Sequence, residues 1–137
     1  MIAALAVGAL LACSPSTLHY RVGRVEGAAG TFLIHLQVRS GATCNVRGYP
    51  ALRLVGRAGA LPTRVRHGGL AVLNRPVRTV VVTPTRPAHL FVAYNDVPVH
   101  NERRCRRGIA LLVAGARVNV ATAACDHGRL LESPYIR

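Results

Sequence analysis

From Phe32 to Arg39 the chain alternates without a break: Phe32, Ile34, Leu36 and Val38 fall on one side, Leu33, His35, Gln37 and Arg39 on the other. A period of two is that of a strand with one face in a core. Leu52 and Leu54 repeat it around Arg53, after the turn Gly48-Tyr49-Pro50, and the β-branched run from Val80 to Thr83 predicts a buried strand. Further strands are predicted at Ala88 to Tyr94, Ile109 to Val113, Val118 to Ala121 and around Arg129 to Glu132. Turn signals separate these runs, mostly at intervals of roughly 8 to 14 residues: Gly27 with Gly30, Gly56 with Gly59, His67-Gly68-Gly69, Pro84 to Pro87, Asn95-Asp96, Gly115 and Asp126-His127-Gly128. No stretch after Cys13 has the period of an amphipathic helix. The pattern predicts an all-β domain, an antiparallel sandwich of about seven to nine strands.

The length of 137 residues suits one domain, and an apolar fraction of one half is enough to build its core. The first twelve residues, MIAALAVGALLA, form an apolar run too short to span a bilayer but of the length of an export-signal core, without the usual basic residues before it. They are expected to be the remnant of a leader, with the domain running from residue 13 to residue 137. Leu10 to Cys13 also resembles the lipobox of bacterial lipoproteins, in which the cysteine carries the lipid. The alternative, a first core strand, is opposed by the lack of alternation.

The formal charge of +13 raises the question of an anionic partner. All 18 basic residues are arginine, as GC-rich coding would supply without a ligand, and most are dispersed with no aromatic residues interleaved to stack on bases. Nucleic acid is therefore not the expected partner; the partner itself is left open, an anionic envelope polymer or an envelope protein being the candidates, and a membrane enters only through a signal or a lipid. The one dense knot, Arg103, Arg104, Arg106 and Arg107 around Cys105, is expected to be a solvated loop, with an anion patch as the alternative.

Cys13, Cys44, Cys105 and Cys125 are too far apart for a CxxC zinc or redox motif. In an exported chain they are expected to form two disulfides, Cys105 with Cys125 across the loops of one hairpin region and, by elimination, Cys13 with Cys44. Lipidation of Cys13 would exclude the second bond and leave Cys44 unpaired. His19, His35, His67, His89, His100 and His127 show neither HxH nor HxxxH spacing and are expected to be solvated, with His35 and His89 on the outward phase of their strands. Ser14, Ser16, Ser40 and Ser133 lack a GxSxG context, and five scattered acids nominate no catalytic pair. No enzyme, metal or cofactor is expected.

The segments CSPSTL (13 to 18), GAAGTFLIHLQV (27 to 38), TCNVRGYPALRLV (43 to 55), PAHLFVAYND (87 to 96) and ACDHGRLLESP (124 to 134) together resemble the actinobacterial domain of unknown function DUF4232. The most specific element is Cys-x-x-x-Gly-Tyr-Pro, carried by Cys44, Gly48, Tyr49 and Pro50. The resemblance implies a secreted or lipid-anchored envelope protein with an immunoglobulin-like sandwich and no established activity. It places the first family cysteine on Cys13, as a disulfide partner. The function expected is a non-catalytic envelope binding or structural module; the alternatives are a lipoprotein anchored through Cys13 that presents the domain to a periplasmic partner or anionic glycan, and a small envelope hydrolase using a histidine.

Overall fold

In a computed structural model, which describes residues 10–137, the alternating run becomes β2 (Thr31–Ser40), with Ile34, Leu36 and Val38 fully buried. It lies between β1 (Leu18–Ala28) and β8 (Ala88–Asn95), both antiparallel to it. Beyond β8 come β11 (Arg129–Glu132) and then β6 (Arg64–His67), completing a five-stranded sheet. A second sheet has the order β10 (Ala116–Thr122), β9 (Gly108–Val113), β4 (Leu52–Gly56) and β5 (Gly59–Ala60). A small third pair joins β3 (Cys44–Val46) to β7 (Val80–Val82).

The two large sheets enclose one core. Ile34, Leu36, Val38, Leu90, Val92 and Leu130 face Leu54, Leu111, Val113 and Val118 from the opposite layer. Each such side chain contributes about 1.5–3 kcal/mol when withdrawn from water. The strand order is immunoglobulin-like: β1, β2 and β8 take the places of strands A, B and E, and β10, β9 and β4 those of G, F and C. The departure is β11, which stands beside β8 where such a domain has its fourth strand and pairs in parallel with β6. Among the described residues the sandwich is thus antiparallel apart from this pair and a single Ala12–Asn45 bridge.

Eleven strands form among the described residues, and the four that the pattern does not predict are β1, β3, β5 and β6. β1 is an edge strand in which Leu18, Tyr20 and Val22 alternate toward the core, but a bulge between Val22 and Arg24 breaks the period and the strand is exposed on both faces from Gly23 onward. β6 is Arg-Val-Arg-His, exposed throughout, and is strand only because β11 pairs with it.

Leu10 to Cys13 run beside β3, with the Cys13 amide donating to Asn45 O at 2.7 Å and the Asn45 amide to Leu11 O at 3.0 Å. Residues 1–9 of the expected leader lie outside the described residues. No helix among the described residues is long and apolar enough to cross a membrane.

The histidines depart from expectation in one place. His19, His67, His100 and His127 are exposed, but His35 and His89, though on the outward phase of their strands, are half-buried and share a hydrogen bond of 2.7 Å. The register explains it: His35 and Gln37 of β2 face Phe91 and His89 of β8, so the two imidazoles are diagonal neighbours on one sheet face.

Candidate anion-binding face

Residues 96 to 107 connect β8 to β9 and carry the arginine knot. Two devices hold this loop. One is the disulfide between Cys105 and Cys125, with Cα atoms 4.7 Å apart. The other is Glu102, whose carboxylate accepts the amides of Asp126 at 2.9 Å and His127 at 3.0 Å, and that of Val99 at 3.2 Å.

The receiving turn, Cys125–Gly128, is an unusual one. Asp126, His127 and Gly128 all have positive φ, at 56°, 58° and 78°. Consecutive left-handed residues point successive N–H groups to one side and make a concavity for an anion, which Glu102 fills. Hydrogen bonds from the His127 and Asp126 amides hold the Glu102 carboxyl below its ordinary range. Glycine is required at position 128 twice over, by its positive φ and because a Cβ there would collide with the carbonyl of Pro62.

The knot is thereby presented outward, with Arg103, Arg104, Arg106 and Arg107 all exposed. Arg57, from the β4–β5 turn, joins them. A cleft of about 820 Å³ is bounded by Arg57 and all four knot arginines, and a neighbouring one of about 800 Å³ by Arg57, Arg107, Phe32 and Tyr94. The two share Arg57, Asp96 and Arg107 and form a continuous open groove at one end of the sandwich. Phe32 and Tyr94 stack at 5.2 Å between centroids and give it an apolar wall.

None of the five arginines lies within ion-pair distance of a carboxylate among the described residues; Arg24 with Glu26, and Arg64 and Arg129 with Asp126, account for the arginine ion pairs there. Guanidinium keeps its charge at any physiological pH and presents a planar fork that fits phosphate, sulfate or carboxylate oxygens in pairs. The face can therefore bind anions. Glu102, Cys105 and Cys125 lie close enough to suggest a metal site, but the two sulfurs are bonded to each other.

Each expected disulfide is present. Cys13 and Cys44, with Cα atoms 4.9 Å apart, fasten the segment before β1 to β3. The other signature residues lie away from the arginine groove: Gly48 accepts the Tyr135 amide at 2.9 Å, Tyr49 stacks on His67 at 3.6 Å, and Pro50 is buried. They fix the β3–β4 turn against β6 and the segment after β11. Arg57 is the groove residue that sequence reasoning misses, because a single arginine in a Gly56–Gly59 turn looks like any other exposed one.

One family model, described as a domain of unknown function (DUF4232), matches residues 13–132. No curated protein matches the chain, and no solved structure does.

Proposed function

The chain belongs to the DUF4232 family, and from its arginine face we propose that it is an exported, non-catalytic module that binds an anionic polymer of the cell envelope. The observation that carries this reading is the convergence of Arg57, Arg103, Arg104, Arg106 and Arg107, all without carboxylate partners among the described residues, on one groove whose loop is fixed by a disulfide and by Glu102. Fixing the loop lowers the entropy lost when a ligand is held. Two disulfides support folding in an oxidising compartment. The Cys13–Cys44 bond supports a bridging role for Cys13 over a lipid anchor.

The test is binding of fluorescent polyphosphate and polyglutamate to the purified domain at low and at about 0.15 M salt, where free charges are screened beyond roughly 8 Å. Binding that persists at the higher salt and falls at least tenfold in the Arg103, Arg104, Arg106, Arg107→Gln variant is the expected result. Equal binding by that variant, or complete loss at the higher salt, overturns the shaped site. Mass spectrometry of the natively produced mature protein decides the state of Cys13: a diacylglyceryl group there removes the disulfide reading.

A further inference from the structure

His35 Nε2 and His89 Nδ1 stand 2.7 Å apart on the outer face of the five-stranded sheet, and neither residue lines the arginine groove. The His35 ring and the His89 backbone are held. His35 stacks on Phe91 with centroids 4.7 Å apart and planes 17° from parallel. The His89 backbone is fastened on both sides of its carbon, its amide donating to Ile136 O at 2.7 Å and its carbonyl accepting from the Ile136 amide at 2.9 Å. Above them the β1 bulge carries Gly23, whose missing side chain would otherwise lie 3.6 Å from His35 Nδ1 and 3.7 Å from Gln37 Cγ. The side of the pair that faces solvent is left open.

We propose that His35 and His89 form a two-imidazole site for a divalent transition ion of tetragonal preference, Cu(II) foremost. Spacing selects the ion. Two nitrogens in cis positions of such an ion, each about 2.0 Å from it, lie about 2.8 Å apart, close to the separation already present, whereas tetrahedral zinc spreads them to about 3.3 Å. The lone pairs that now face each other must each swing by roughly 45°, through rotation about the side-chain bonds, to meet at a common point. The proton now shared between the rings moves to the other nitrogen of its own imidazole, so the neutral pair takes the ion without releasing a proton, and protonation of either ring competes with it.

The surroundings agree with a neutral ligand pair. Burial, and secondarily the His35 imidazole, pull His89 below the ordinary histidine range. Arg21 and Arg24 occupy neighbouring register positions on β1, opposite Gln37 and His35, and Arg24 is engaged by Glu26 at 2.9 Å. Their charge repels ions held only by electrostatics, such as calcium or magnesium, and leaves those with strong bonds to imidazole. Gln37 and solvent complete the coordination.

The experiment is titration of the disulfide-bonded protein with Cu(II) at pH 7.5 in the presence of glycine as a competitor, followed by electron paramagnetic resonance. One ion per chain with hyperfine structure from two imidazole nitrogens is expected, with at least tenfold weaker binding in His35→Ala and in His89→Ala, and unchanged binding in a His19, His100, His127→Ala variant. Zn(II) binds more weakly than Cu(II). A one-nitrogen spectrum, or tight binding that survives His89→Ala and disappears in the triple variant, overturns the proposal. The spectrum of the unsubstituted protein decides the matter even if a single variant fails to fold.

Discussion

Glu132 places its Oε1 3.3 Å from Nε2 of His67, one side chain 1% exposed and the other 54%. The carboxyl points into the sandwich because β11 continues the inward phase of Leu130, and its second oxygen has no partner among the described residues. His67, parallel to Tyr49 and stacked on it, closes the opening. Burial pushes the Glu132 carboxyl from its ordinary 4.5 up to about 8. A raised carboxyl stabilises the fold fully below pH 4.5, and that contribution is lost as pH rises through about 8. Urea titrations are expected to show stability falling by a few kcal/mol between pH 5 and pH 9, at up to about 1.4 kcal/mol per pH unit. Glu132→Gln should flatten that slope and unfold at higher urea than the parent at pH 9. A parent stability that rises over this range contradicts the assignment.

Glu102 has the opposite sign. Its carboxyl is held down by the His127 and Asp126 amides, so its contribution is present above the ordinary carboxylate range and lost on acidification through the depressed value. Glu102→Ala frees the left-handed turn. Amide exchange at Asp126 and His127 should quicken at least tenfold in this variant while β2 and β8 stay protected, and uniform acceleration would mean that the carboxylate supports the whole fold instead.

Gly128→Ala puts a methyl group against the Pro62 carbonyl at a positive φ. The loss of stability is expected to reach about 2 kcal/mol or more, read as a lower thermal midpoint. Gly41→Ala, at a site with nothing within 4 Å and without a positive φ, should leave the midpoint within a degree or two.

The two disulfides close intervals of 31 and 20 residues, and removing either costs about 3 kcal/mol by loop entropy. Their effects on binding should differ. Cys105→Ser with Cys125→Ser loosens the arginine loop and weakens polyanion binding, whereas Cys13→Ser with Cys44→Ser lowers stability alone. Equal binding loss in both double variants would tie the groove to global stability rather than to the local bond.

The strands most legible in the chain are those with a core beneath, whether inner, as β2, β8 and β9, or at the edge of their sheet, as β7 and β10. β2, β8 and β9 bury every second residue for most of their length, and the pattern at Phe32 to Val38 shows it directly. β6 and the second half of β1 face water at sheet edges, so burial imposes no period there, and the short alternation of Leu18, Tyr20 and Val22 stops at the bulge. The arginine knot is visible because its members are adjacent in sequence. Arg57 and the His35–His89 pair are not, because what unites them is strand register and hairpin placement, and spacing rules such as HxH describe neighbours along one strand or helix only.

The position of β11 has a consequence for how the molecule is made. Residues 129–132 form an inner strand, bordered by β8 on one side and β6 on the other, both of which precede it in the chain. Until they arrive, β8 keeps an open margin and β6 has no companion. The fold therefore closes like a zip whose slider is threaded after both tracks are laid, and the carboxyl of Glu132 is sealed inside only at that closing step.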